Sequence, residues 1–218
     1  MINLIDILIP VHIKDYPLLF NTLSLLQLNI KTPISTIFIV SNFIISDTDQ
    51  LNIKKLVNYP IKFYSDSEII DIDTTKLKFN SPNWIKQQFI KLLQDITETE
   101  YYLSVDCGVL FLRPIHLFCN NKPNLFTDNT SPIIHGYHNF NQEIFHNRKY
   151  TDLSQSYTVD FALFHKPTIL KLIYSIAQTP QEFISKCYEI IDNNTYPNEQ
   201  DMYALFVTNE YPDLYNIQ

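Results

Sequence analysis

Short apolar runs alternate along this chain with stretches whose apolar residues recur at helical spacing. Leu4 to Pro10 (LIDILIP), Thr36 to Ser41 (TIFIVS) and Ile61 to Ser65 (IKFYS) have the length and β-branched or aromatic content of buried strands. Between the first two, Pro17 to Leu28 places Leu19, Leu23 and Leu26 on one helical face, with Pro17 in the first turn. Asp49 to Val57 provides a second helical link. Strand and helix in alternation predict βαβ units and an α/β fold around a mainly parallel sheet. Ligands of such sheets sit beyond the carboxyl ends of the strands. That rule points to Pro10 to Asp15, including His12, and to Ser41 and Asn42, Asp66 to Glu68, and Asp106 to Gly108.

The pattern is most informative at Tyr101 to Ile115 (YYLSVDCGVLFLRPI). An aromatic and aliphatic strand stops at Asp106, Cys107 and Gly108, and a second apolar run, Val109 to Leu112, resumes before Arg113 and Pro114. A carboxylate at the end of a buried strand, followed at once by glycine, places charge where backbone or ligand comes close.

Upstream, Ser81-Pro82-Asn83-Trp84 starts a helix with Ser81 as cap and Pro82 in the first turn. Ile85, Phe89, Leu92, Leu93 and Ile96 gather on its inner face. Trp84, Gln88 and Lys91 lie on a flank. That flank is either a solvated edge with a half-buried Trp or a polar edge facing a site, where Lys91 offers its charge to a phosphate. Downstream, Asp160 interrupts the apolar strand SYTVDFALF, where an unpaired carboxylate is costly, so it is a site residue or an outward-facing edge residue.

The C-terminal third reads as helices covering the sheet. Thr168 to Gln178 is one. Thr179-Pro180-Gln181-Glu182 is a capping box opening the next, with Phe183, Cys187 and Ile191 as core. Asn198 caps the last long helix, whose first turn carries Glu199 and Asp201. The long segment Asn120 to Gln155 is rich in Asn, His, Tyr and Phe and reads as a functional loop, the region that takes the acceptor. It contains His135, His138 and His146, and Tyr137 and Phe140 would suit a sugar face.

Composition narrows the chemistry. The 218 residues, 45% hydrophobic, suffice for one sizeable core, and a single domain over 1–218 is expected. A formal net charge of -7 with scattered Lys and Arg argues against a nucleic-acid partner. With only two glycines, Gly108 and Gly136, neither a P-loop nor a GxGxxG turn can be built. Cys107, Cys119 and Cys187 show neither disulfide nor zinc spacing, no run has the length of a membrane span, and the N-terminus lacks a basic leader. A cytoplasmic location is expected, where the sequons at Asn129 and Asn193 mean little.

The ordered set of a strand ending in proline, W-x-x-QQ-x-x-K (Trp84, Gln87, Gln88, Lys91), a strand into D-x-D-like Asp106-Cys107-Gly108, and an apolar-LRP segment resembles the small nucleotide-sugar glycosyltransferases of the GT-A fold. These are the compact type found in bacteria and large DNA viruses. The segments at Ser156 to Pro167 and Asn198 to Val207 fall where that type has its acceptor-side strand and an acidic helix. The resemblance implies a GT-A-like, Rossmann-like mixed sheet flanked by helices, with 1–108 as the nucleotide-sugar half and 109–218 as the acceptor half. It also implies transfer of a hexose from a nucleoside diphosphate sugar to a glycan or glycoprotein.

The family's D-x-D helps hold a divalent cation, Mn²⁺ or Mg²⁺, but its second carboxylate is here Gly108. Three alternatives follow. Asp106 holds a cation with help from the diphosphate; or Asp106 holds the ribose while Lys91 or Arg113 neutralises the phosphates; or the chain binds donor or glycan without turnover. His165, which closes the Asp160 strand, falls where some GT-A enzymes place a metal-binding histidine, although a strand-end His is commonly a surface residue. Glycosyl transfer also needs a base. The base candidates are Asp201, Glu199 and Asp160, and a protein base would favour inversion.

Overall fold

The computed structural model describes residues 4–93, 95–128, 134–146 and 156–218. Asn129 and parts of the long segment, 129–133 and 147–155, lie outside them. In chain order the first elements are β1 (Ile5–Val11), α1 (Leu19–Asn29), β2 (Ile34–Ser41), α2 (Asp47–Lys54), β3 (Ile61–Ser65), α3 (Asp66–Ile69), α4 (Pro82–Leu93) and β4 (Tyr101–Val105). There follow β5 (Phe118–Cys119), β6 (Lys122–Leu125), α5 (His135–Phe145), β7 (Phe161–His165), α6 (Lys166–Ile176), α7 (Pro180–Ile190), α8 (Glu199–Glu210) and β8 (Asn216–Ile217).

The chain forms two compact units. One comprises Met1–Asp71, Gln94–Asn121 and Asp160–His165, and the other Ile72–Leu93, Lys122–Val159 and Lys166–Gln218. The first unit is built on a five-stranded sheet in the order β3-β2-β1-β4-β7. Its first four strands are mutually parallel and β7 runs antiparallel to β4. All seven residues of β1 are buried, as a central strand covered on both faces must be. One of them is a carboxylate: Asp6 Oδ2 accepts the backbone N–H groups of Glu98 and Thr99 at 2.6 and 2.8 Å. Two donors on one oxygen offset the desolvation of Asp6 and fix the entry into β4.

The second unit contains α4 to α8, which pack on one another, and β6, which pairs in parallel with β8. Phe89, Phe140, Phe183, Cys187 and Leu172 are fully buried within it, and burial pushes the Cys187 thiol well up. Thr179 caps α7 as its sequence predicts, its hydroxyl accepting from Glu182 N–H; the Glu182 carboxylate reaches one residue further back, to Gln178 N–H. Asn198 caps α8 by accepting from Gln200 and Asp201 N–H.

In the apolar run Val109 to Leu112 only Phe111 turns inward, its ring edge-on to Phe161, while Leu110 and Leu112 are exposed. Two expectations are corrected. Asp160 does not lie within a strand, since β7 starts at Phe161 and Asp160 is exposed just before it. The long segment is not loop throughout, because His135–Phe145 is helical. Tyr137, Phe140 and Ile144 recur there at helical spacing, a signal obscured by the polar residues between them. Phe140 belongs to the core of that helix and presents no face to a ligand.

Candidate functional site

In the first unit, the carboxyl ends of the parallel strands are joined by short, interlocked loops. Pro10 is buried near the end of β1. His12 then closes a tight turn: its carbonyl accepts from Asp15 and Tyr16 N–H at 2.9 and 3.1 Å, and its Nδ1 accepts from Lys14 N–H at 3.2 Å. The turn is tied to the loop after β2 by Ile13 N–H donating to Asn42 Oδ1 at 3.2 Å. Ser41 is buried, and its hydroxyl donates to the Phe43 carbonyl at 2.7 Å, so it supports the loop.

Asp106 follows β4 directly, and its N–H donates to the Asp160 carbonyl at 2.9 Å. That bond extends the β4–β7 pairing by one residue and sets the two acidic residues side by side. Val109 N–H closes the turn on the Asp106 carbonyl at 3.1 Å. Within it Gly108 has φ +109°, where a side chain is strained, and its N–H donates to Thr22 Oγ1 at 3.0 Å. A Cβ there would also meet Leu18 Cδ1 at 3.1 Å. Backbone conformation therefore strains any side chain at position 108, and Leu18 would have to give way by a few tenths of an ångström to admit one.

Cys107 Sγ donates to the Asp15 carbonyl at 3.3 Å, linking the turn to the His12 loop. Burial, reinforced by the charges of Asp15 and Asp106, pushes its thiol up to about 12, so it remains protonated and is not a nucleophile. Asp15, Cys107, Asp106, Gly108 and Asp160 are therefore gathered on one edge, and Arg113 is exposed in the connection that follows. His165 is not gathered there. It pairs with Tyr101 across β4 and β7, roughly 16 Å along the strand from Asp160. Its ring stacks on Tyr101 and its Nε2 lies 2.8 Å from Glu100 Oε1. Among the described residues no three His, Cys, Asp or Glu side chains come together to hold a metal ion.

The remaining residues singled out from the sequence lie in the second unit, and most are buried. The α4 flank is no solvated edge: Lys91 is 3% exposed, and its Nζ lies 2.9 Å from Oε1 of Glu199, which is 0% exposed. Gln88 is buried beside them and donates to the Trp84 carbonyl at 3.4 Å. Asp201, the third residue of α8, accepts from Tyr157 N–H at 3.2 Å and is 4% exposed. Burial raises its carboxyl to about 6, with the Glu199 charge adding to the rise and the Tyr157 N–H opposing it. Gln200 Oε1 accepts from Val159 N–H at 2.7 Å. The first turn of α8 thus holds the chain before β7 in place through its side chains.

The sequence points to Trp84 and Tyr137 singly but not to the cluster of rings they form in this unit with Phe79 and Tyr196. Trp84 and Tyr137 stack at 6.0 Å and 12°, while Tyr196 stands edge-on to both at 81° and 88°. Phe79 completes the corner, 4.9 Å from Tyr196. Gly136 makes room for it, since a Cβ there would collide with the Tyr196 ring. These rings and Asn80, Ser81 and Asn193 line an open pocket of about 320 Å³. The residues come from three separated segments, so no local motif could reveal it.

Compared with solved structures, the chain superposes on apo mouse xyloside xylosyltransferase 1 with a TM-score of 0.55 at 11% identity, covering 99% of this chain and 85% of that one. The fold is thus GT-A-like, a mixed, mostly parallel sheet with flanking helices. It also aligns with the apo bifunctional glycosyltransferase WbbM (TM-score 0.49, 10% identity, 95% of this chain), spanning only 44% of that protein's length. No curated protein matches the sequence. A family model matches residues 3–209, nearly the whole chain, and by that match the protein belongs to a family of unknown function, DUF6492.

Proposed function

We propose that this protein is a glycosyltransferase that uses a nucleoside diphosphate sugar, and that the edge carrying Asp106 binds the donor. The observation that carries it is the placing of Asp15, Asp106 and Asp160 on neighbouring turns, tied together through their backbone groups and Cys107, where the parallel strands end, the position at which sheets of this kind take their ligands. The GT-A-like fold, the fold of a xylosyltransferase, agrees with that role.

The residues present do not compose a cation cage. Asp106 lacks a second carboxylate at position 108, and no third metal-binding side chain joins it among the described residues. Asp106 is therefore assigned to the ribose hydroxyls, which a carboxylate at a strand end can accept, and exposed Arg113 to the diphosphate. Lys91 is held by Glu199 inside its unit and is not assigned to the donor.

Transfer requires a base for the acceptor hydroxyl. Asp160 is the exposed carboxylate beside Asp106, whereas Glu199 and Asp201 are buried. In the proposed step Asp160 takes the hydroxyl proton, the acceptor oxygen bonds to the anomeric carbon, and the bond from that carbon to the diphosphate oxygen breaks. Nucleoside diphosphate leaves with the electron pair, and the anomeric centre inverts.

One observation favours a second reading, binding without turnover: the Gly108 turn lacks the second acidic group of a D-x-D pair, and its positive φ strains any side chain placed there. Incubation with UDP-, GDP- and TDP-sugars, with and without Mn²⁺, separates the two. Donor hydrolysis or transfer supports the enzyme. Donor binding with no product supports the second reading, and no binding of any donor overturns the enzyme and leaves the second reading only as glycan binding.

A further inference from the structure

We propose that the aromatic corner of Phe79, Trp84, Tyr137 and Tyr196 is a binding site for a neutral sugar ring of the acceptor. Its assignment to the acceptor rests on the glycosyltransferase reading; its affinity for a sugar does not.

The rings are not closed into the core. Phe79, Trp84 and Tyr196 remain partly exposed, Tyr137 forms the floor, and the space they border measures about 320 Å³, within the range of small-ligand sites. The polar groups at the rim are neutral: Asn80, Ser81 and Asn193, all exposed. Asn193 is held in place there by accepting Asn80 N–H through Oδ1 at 3.0 Å, which orients its amide group. Apolar faces bordered by amides and a hydroxyl match a pyranose, which offers one face of C–H groups and a perimeter of hydroxyls.

Geometry selects among ligands that stack on rings. A nucleobase takes a slot between parallel faces, but the one parallel pair here, Trp84 and Tyr137, is already in contact at 6.0 Å. Tyr196 stands perpendicular to both, giving a corner and not a slot. A quaternary ammonium ion is favoured where a carboxylate joins the aromatic cage, and none lines this pocket. Gly136 is the device that sets the corner. Its N- and C-terminal neighbours belong to α5, its carbonyl accepts Tyr196 N–H at 3.2 Å, and its bare Cα lets the Tyr196 ring lie against the helix.

The test uses the protein's own reporter, because Trp84 is its single tryptophan. Intrinsic fluorescence is titrated with neutral di- and trisaccharides of glucose, galactose, mannose and xylose, and in parallel with tetramethylammonium and with uridine. A saturable change with at least one saccharide is expected, weakened about tenfold by Tyr196→Ala, since loss of one ring contact has that order of effect. Gly136→Ala, which keeps every pocket side chain but pushes Tyr196 aside, is expected to weaken it similarly. Circular dichroism confirms that each variant remains folded. Saturation by tetramethylammonium or uridine alone, no response to any saccharide, or a saccharide response indifferent to both substitutions overturns the proposal. Failure of donor hydrolysis with the saccharide response intact overturns the transferase reading and leaves the sugar site standing.

Discussion

Carboxylates sit at element ends in both units, yet their surroundings are opposite. In the first unit Asp106, Asp15 and Asp160 lie on loops beyond the strands, partly or wholly exposed, with neutral backbone groups holding the turns around them. In the second, Glu199 and Asp201 lie at a helix start, are almost fully buried, and are engaged by Lys91 and by Tyr157 N–H. An exposed acid on a rigid turn is available to a ligand. A buried one with internal partners also supports the fold, and its removal is felt as instability.

The largest effect that sharpens this contrast is at Lys91. Lys91→Met leaves the fully buried Glu199 charge without its cation and is expected to destabilise the protein by about 3–5 kcal/mol. The double variant Lys91→Met, Glu199→Met recovers most of that loss; denaturant unfolding of the two variants measures both. An equal loss in the double variant would break the assignment of the pair to the fold.

Next is Asp201, whose carboxyl is raised from 3.8 to about 6 in the folded protein. The folded state therefore binds this proton more tightly than the unfolded chain does. Its contribution to stability is largest below about pH 4 and is lost as pH rises to 6, by about 3 kcal/mol at most. Asp201→Asn keeps an acceptor for Tyr157 N–H without the charge. Its stability relative to wild type should rise across pH 4 to 6, as read from unfolding midpoints at each pH.

Gly108→Ala is expected to cost about 1–3 kcal/mol, from the positive φ and the approach to Leu18. Asp160→Asn, at an exposed position, should change stability by no more than about 0.5 kcal/mol while lowering transfer. A stability loss at Asp160 as large as that at Lys91 would erase the distinction between the units.

The sheet was legible because its strands are near-continuous apolar runs: Ile61 to Ser65 is a strand over the predicted residues, and β1 and β2 agree within two residues at either end. Caps at Thr179 and Asn198 were legible because capping is local chemistry. The Asp106 turn was legible as a place, through the acidic residue and glycine that end an apolar strand. Burial of Lys91 was not, since it depends on Glu199 arriving from 108 positions away. The same holds for the aromatic corner, assembled from Phe79, Trp84, Tyr137 and Tyr196, and for the separation of His165 from Asp106. Only the antiparallel direction of β7 reveals that separation.

The central claim, that the Asp106 edge binds the donor, is tested most directly by calorimetric titration of wild-type and Asp106→Ala protein with the nucleotide-sugar that binds wild type. At least about a tenfold loss of affinity is expected in the variant, the cost of a charge-assisted hydrogen bond of about 1.5–3 kcal/mol, with circular dichroism confirming that the variant is folded. Equal affinity in a folded Asp106→Ala protein would contradict the claim.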